Sequence, residues 1–405
     1  MKPKLSLAFT LLFFATALLL TSPVLSQVNH QVIYSFASPG PQGYYPYTPL
    51  VYRAGKFFGT TNNGGQEQCN CGVIFELAPK TGGGWNYKVL HTFQSTPDGA
   101  NPAWNIVFDS TGNLYGTAPF AGAFGHGAVY ELSPSANGSW TYSILYNFAT
   151  TGDARYPGGL TIDAAGNLYG AGGGGANEAG AIFELSHGAG GAWTESVIYN
   201  FIGTGDGSGP NANLSLDALG NLYGTTGGGG ANSLGTVFKL TPGIGGEWTE
   251  TTLFSPDVSL GIAITQTLDD AGNIYCTTFP GNGVTNLGAV FELTPNSDGT
   301  WSNTTLHTFV KSKGGEWPKG ALTLSANGTL YGTTQDGGAN GLGTIYALKP
   351  GSGGTWMFND IYSFAGGTAD GGLPLVGVTL ENGSLYGTTI IGGAYSSGTI
   401  FKLTP

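Results

Sequence analysis

The chain has 405 residues, 24 acidic and 13 basic, for a formal charge of −11, and only 9% of its residues are charged. Such a surface lacks the cations that neutralise phosphates, which excludes nucleic acid and anionic lipid as natural partners. Its 72 glycines are accompanied by 22 Phe, 20 Tyr and 8 Trp, a density of rings that excludes a disordered glycine-rich chain, and three cysteines are too few for a disulfide framework.

Taken in chain order, the first element is a leader. Met1 to Lys4 carries positive charge, Leu5 to Leu20 is uncharged and mostly apolar, and Val24 and Ser26 fall at the −3 and −1 positions of a cleavage site. That layout predicts a signal peptide over 1–26, with an uncleaved anchor as the rival reading, and 27–405 as one domain. No later stretch is apolar enough to span a bilayer, so no membrane span is expected after cleavage. Export makes the protein secreted, extracellular or periplasmic.

Next comes Gln31-Val32-Ile33-Tyr34-Ser35-Phe36, which matches the later Ser143-Ile144-Leu145-Tyr146-Asn147-Phe148 and reads as a single stray strand. A repeat then begins. Trp85, Trp140, Trp193, Trp248, Trp301 and Trp356 are spaced by 55, 53, 55, 53 and 55 residues, and a Phe follows eight residues later at Phe93, Phe148, Phe201, Phe309 and Phe364. Between these anchors recurs Gly112-Asn113-Leu114-Tyr115-Gly116-Thr117, then Gly220-Asn221-Leu222-Tyr223-Gly224-Thr225-Thr226, through to Gly383-Ser384-Leu385-Tyr386-Gly387-Thr388-Thr389, with a degenerate first copy at Gly55-Lys56-Phe57-Phe58-Gly59-Thr60-Thr61. Each of the seven copies holds four short β-type runs, A to D, as in Ala212 to Asp217, Asn221 to Thr226, Thr236 to Leu240 and Trp248 to about Phe254. The fold class predicted is all-β, a seven-bladed β-propeller of four-stranded blades. A β-solenoid is the rival, with shorter repeats and parallel strands. The last copy ends at its C strand, Gly398 to Pro405, so the stray strand 31–36 is expected to complete the blade near 373–405 and close the ring.

The recurring Leu-Tyr-Gly-Thr-Thr and Gly-Thr-Val-Phe-Lys-Leu-Thr-Pro segments resemble the GloVer-type tandem repeat of bacterial extracellular proteins over roughly 31–405. The resemblance implies an extracellular or cell-surface repeat protein. It implies no particular activity and no catalytic residues. Members often end in an anchoring module, whereas this sequence ends inside a repeat, which points to a freely secreted or periplasmic form. The Asp-x-x-Gly-Asn-Leu-Tyr turn is also similar to that of NHL and gluconolactonase-type propellers.

Candidate chemistry is sparse. Asp109, Asp163, Asp217 and Asp269 recur in the A–B turn, where Asp is a local backbone acceptor. Asp98, Asp153, Asp206 and Asp370 lie in the less uniform loops entering strand A, as turn residues or binding groups. His91 and His307 stand where other copies carry Tyr146, Tyr199 and Tyr362, so they read as packing variants; Cys276 replaces a strand B glycine and reads as a buried small residue. Cys69 and Cys71 are expected to be oxidised together, since two thiolates without histidine do not make a zinc site. No cofactor, metal site or catalytic residue is assigned.

In an A-B-C-D meander the A–B and C–D turns share one face, and the B–C and D–A loops share the other. The second face carries the diverse segments, together with Trp104, Tyr156, Trp317, Tyr45 and Arg155 near the starts of inner strands. With Asp98, Asp153 and Asp206 these are the expected binding residues. Aromatics with few charges suit neutral ligands such as sugars; the bland alternative is that the rings only cap the channel. The leading function is therefore a non-catalytic binding or interaction propeller for polysaccharide or a surface protein. The alternatives are a propeller enzyme of lactonase, lyase or glycosidase type and a structural surface-layer component.

Overall fold

The structure, a computed structural model, describes residues 28–149, 151–188, 191–211, 213–280, 286–310 and 314–405. The signal peptide expected over 1–26 lies outside the described residues. The chain forms seven antiparallel sheets in sequence, joined as the blades of a propeller. The third blade shows the plan: strand A at Leu160–Ile162, B at Leu168–Gly174, C at Ala181–His187 and D at Trp193–Asn200. Strand order in every blade is D-C-B-A, with A innermost. One 3-10 turn, Ser352–Gly354, is the only helical element among the described residues.

The ring closes as the stray strand requires. Asn29–Ser35 pairs antiparallel with Thr399–Thr404, from Asn29 opposite Thr404 to Ser35 opposite Thr399, and so supplies strand D of the seventh blade. The pairing covers the edge that strand C of this blade would otherwise expose. The same irregularity recurs between strands C and D in all seven blades, for example between Ile182 and Phe183 and, at the closure, between Val32 and Tyr34. A bulge at a fixed place adds the same twist to each of these blades.

The recurring residues are the ones that join neighbours. The Trp that opens strand D lies edge-on to the strand B aromatic of the preceding blade: Phe58–Trp140, Tyr115–Trp193, Tyr169–Trp248 and Tyr275–Trp356 have ring centroids 5.9–6.1 Å apart. Tyr386–Trp85, at 6.2 Å, repeats the contact across the closure. Apolar cores accordingly lie between blades, as where Phe58 and Ile74 meet Leu114 and Tyr130.

The strand B glycine makes room for a ring of its own blade: Gly224 is opposite Phe238 on strand C, and a Cβ there would stand 2.5 Å from the Phe238 Cζ. Cys276 takes this place opposite Phe291 and is fully buried, which pushes its thiol pKa up. Strand A of the fourth blade, expected over 212–217, pairs with strand B at Ser215–Leu216, and the chain ahead of it pairs with strand B as well, at Ser208–Pro210.

Candidate functional site

The backbone takes a left-handed step at Gly209, one member of a set. Tyr45, Asn101, Tyr156, Gly209, Trp317 and Leu373 occupy the same place in six blades, each with φ between 55° and 62° and each followed by proline. Their backbone N–H groups donate to carbonyls of the preceding blade's B–C loop: Asn101 to Cys71, Tyr156 to His126, Gly209 to Ala179, Trp317 to Leu287 and Leu373 to Leu342 at 2.8–2.9 Å, and Tyr45 to Ser397 at 3.3 Å. The proline ring then covers the glycine that begins strand C of that blade. A Cβ on Gly288 would stand 2.5 Å from Pro318 Cδ, and one on Gly343 would stand 2.7 Å from Pro374 Cδ. This clasp ties D–A loops to B–C loops on one face. It also explains how a bulky residue is held at positive φ, a conformation that costs about 1 kcal/mol or more and persists only when its surroundings impose it.

Three of the expected site residues, Tyr45, Tyr156 and Trp317, are thus the same repeat position. Tyr156 is exposed, its ring 6.1 Å from Phe120 and its hydroxyl 3.3 Å from His126 Nδ1. Trp317 packs at 5.5 Å on Phe279, and Tyr45 at 4.9 Å on Tyr44. Arg155 runs beside Gly174 and pairs with Glu178 in the same blade. Cys69 and Cys71 are joined by a disulfide on this face, ahead of the clasp on Asn101.

Two to four residues beyond five of the six clasps, all but that of Tyr156, the chain turns inward and lines an axial cavity of about 410 Å³, within the range of small-ligand pockets. Tyr47, Ala103, Asn211, Lys319 and Leu375 come from one repeat position, and Trp104, Asn213, Thr265 and Gly320 from the next two; Phe279 reaches in from the end of strand B. Trp104 is the expected site residue that lines this cavity. Among the described residues no Asp, Glu or His does. Lys319 Nζ stands 5.3 Å from the centre of the Phe279 ring, and burial lowers its pKa, partly offset by Asp336. Sequence reasoning missed Phe279 and Lys319. The signal for Phe279 was available: the residue after the strand B Thr-Thr reads Asn62, Pro119, Gly173, Gly227, Phe279, Gln335 and Ile390, a variable position inside an otherwise uniform motif.

The three expected aspartates do not reach this cavity. Asp98 accepts from His91 Nε2 and Gln94 N, both at 2.9 Å; Asp153 from Tyr146 Oη, Ala149 N and Ala154 N at 2.7–3.0 Å; Asp206 from Tyr199 Oη and Ile202 N at 2.9 Å. Asp370 repeats the pattern on Tyr362, Ala365 and Gly371. Each fastens its D–A loop back to strand D. His91 fills the tyrosine place by stacking on Tyr142 at 3.8 Å, and His307 by stacking on Phe358 at 3.9 Å. The other set behaves as read: Asp217 accepts from Leu219 N, Asn221 N and Nδ2, and Tyr223 Oη in its A–B turn.

Near the Asp153 fastening sits Glu195, two residues after its Trp, with its pKa raised to about 7 by burial first and by the Asp153 charge second, against a smaller opposing hydrogen bond from Tyr146. A raised carboxylate pKa means the fold favours the protonated form. Its stabilisation is present below the unfolded value of 4.5 and is lost as pH climbs towards 7. Glu195→Gln should therefore raise the melting temperature at pH 8 and leave it nearly unchanged at pH 4; equal shifts at both would refute this assignment.

Fold and face together define a seven-bladed β-propeller with a ligand-sized axial mouth on its variable face. The chain belongs to the Gloeobacter/Verrucomicrobia repeat family, whose profile matches residues 21–172, 139–302 and 259–405. No curated protein matches the sequence. Among solved structures it is similar to an ancestral GH74 enzyme (12% identity, 89% of this chain and 48% of that one, TM-score 0.59). It is also similar to a puromycin-hydrolysing peptidase of Mycobacterium tuberculosis (9% identity, 88% and 52%, TM-score 0.54). This chain spans about half the length of each, and at these identities the likeness is one of fold alone. Among the described residues no helix is long and apolar enough to cross a membrane.

Proposed function

We propose that this chain is an exported, non-catalytic binding propeller whose ligand is a carbohydrate taken at the axial mouth of the D–A/B–C face. One observation carries the reading. Every exposed aromatic side chain among the described residues (Tyr45, Tyr47, Trp104, Phe120, Phe124, Tyr156 and Tyr395) is on that face. Scattered apolar residues need no explanation, but rings gathered on one face of a charge-poor protein suit stacking on sugar rings. The leader sequence supports export, and the Cys69–Cys71 disulfide fits an oxidising compartment.

The test compares mature protein with two triple variants against a panel of neutral and acidic oligosaccharides, by calorimetry. Trp104→Ala/Tyr156→Ala/Trp317→Ala should lose binding. Leu219→Ala/Ile244→Ala/Met357→Ala, which trims exposed residues away from that face, should keep it. Loss confined to the second variant, or no oligosaccharide bound by the intact protein, sinks the proposal.

A further inference from the structure

We infer that the axial cavity binds an anionic pyranose, a uronic acid unit of a polysaccharide, with Lys319 taking the carboxylate and Trp104 and Phe279 flanking the ring. The inference rests on the carbohydrate reading above and narrows it to one ligand chemistry.

The cavity inverts the charge of the protein. The chain has 24 acidic and 13 basic residues, yet the one ionisable group lining the cavity besides the Tyr47 phenol is a lysine. Lys319 is half-buried and, among the described residues, its ammonium has no hydrogen bond and no carboxylate within ion-pair distance. It is held instead over the Phe279 ring, which Trp317 supports from the other blade. A partly desolvated cation without a counter-ion is costly, and an entering carboxylate supplies the missing acceptor in a charge-assisted hydrogen bond. Asp336 is near enough to be felt by Lys319 but does not line the cavity.

The remaining polar groups suit hydroxyls. Asn211 spends its amide hydrogens on Thr225 Oγ1 and Ala263 O, both at 3.0 Å, which leaves its side-chain oxygen as an acceptor. Asn213 also lines the cavity, its backbone held by Gln266 Nε2 donating to its carbonyl at 3.2 Å. A sugar hydroxyl is a donor for the Asn211 oxygen. Trp104 and Tyr47 add exposed ring faces at the rim.

The test uses the mature protein with three probes: oligogalacturonate, its methyl ester and cellohexaose. The methyl ester keeps the sugar ring and removes the charge. Oligogalacturonate should bind about tenfold or more tighter than either neutral probe, with affinity falling at high ionic strength. Lys319→Gln should erase that preference and Lys319→Arg should retain it; the ester and salt comparisons read the same point on unmutated protein. Equal binding of all three probes, unchanged by Lys319→Gln, overturns this inference while leaving the carbohydrate reading standing. Absence of binding to all three overturns both.

Discussion

A chain lacking residues 27–37 should melt roughly 10 °C or more below the intact 27–405 protein and should aggregate. The deleted strand joins three blades. It pairs along Thr399–Thr404; His30 stacks at 4.3 Å on Tyr362 of the sixth blade; and Tyr34 stacks at 4.2 Å on Tyr87 of the first. Phe36 is fully buried, and its N–H donates to Gly398 O at 3.0 Å. Losing a buried Phe alone costs about 3–5 kcal/mol, and the exposed edge of the seventh blade is then free to pair with another chain. A circular permutant separates closure from chain length. Joining residue 405 to residue 28 and opening the exposed turn between Gly245 and Gly246 should melt close to the intact protein. Equal melting of the truncated and intact forms would refute closure by the N-terminal strand.

Blade number, strand order and closure were legible in the sequence because the residues that mark the period are those that make the inter-blade contacts. Trp85, Trp140, Trp193, Trp248 and Trp356 repeat because each meets the strand B aromatic of the preceding blade, so the spacing and the geometry are one fact. The clasp was not legible in the same way. Tyr45, Asn101, Tyr156, Gly209, Trp317 and Leu373 share a backbone conformation and no side-chain chemistry, and periodicity of residue type is blind to that. What marks them is the following proline, at Pro46, Pro102, Pro157, Pro210, Pro318 and Pro374. The variable face was also readable, from the contrast between uniform turns and diverse loops. Of the axial lining, Trp104 was read from the sequence and Phe279 was marked by its variable position after strand B, whereas Lys319 is an unremarkable lysine until the ring brings it against Phe279 of the neighbouring blade.

Asp153→Ala should cost roughly 3 kcal/mol, seen as a clear fall in melting temperature. The carboxylate is buried and holds three donors from its own loop and strand, so truncation leaves Tyr146 Oη and the N–H groups of Ala149 and Ala154 without a buried acceptor. Asp370→Ala should behave alike, since Tyr362, Ala365 and Gly371 make the same set. The Asp153 variant carries a second readout that a general loss of packing would not give. The Asp153 charge is one cause of the raised Glu195 pKa, so its removal should narrow the pH window over which Glu195 costs stability. The gain in melting temperature from Glu195→Gln at pH 8 should then be smaller in the Asp153→Ala background than in the parent. Ligand affinity at the axial mouth should be preserved wherever Asp153→Ala remains folded. If instead the variant melts like the parent and abolishes binding, Asp153 belongs to the ligand site and not to the loop.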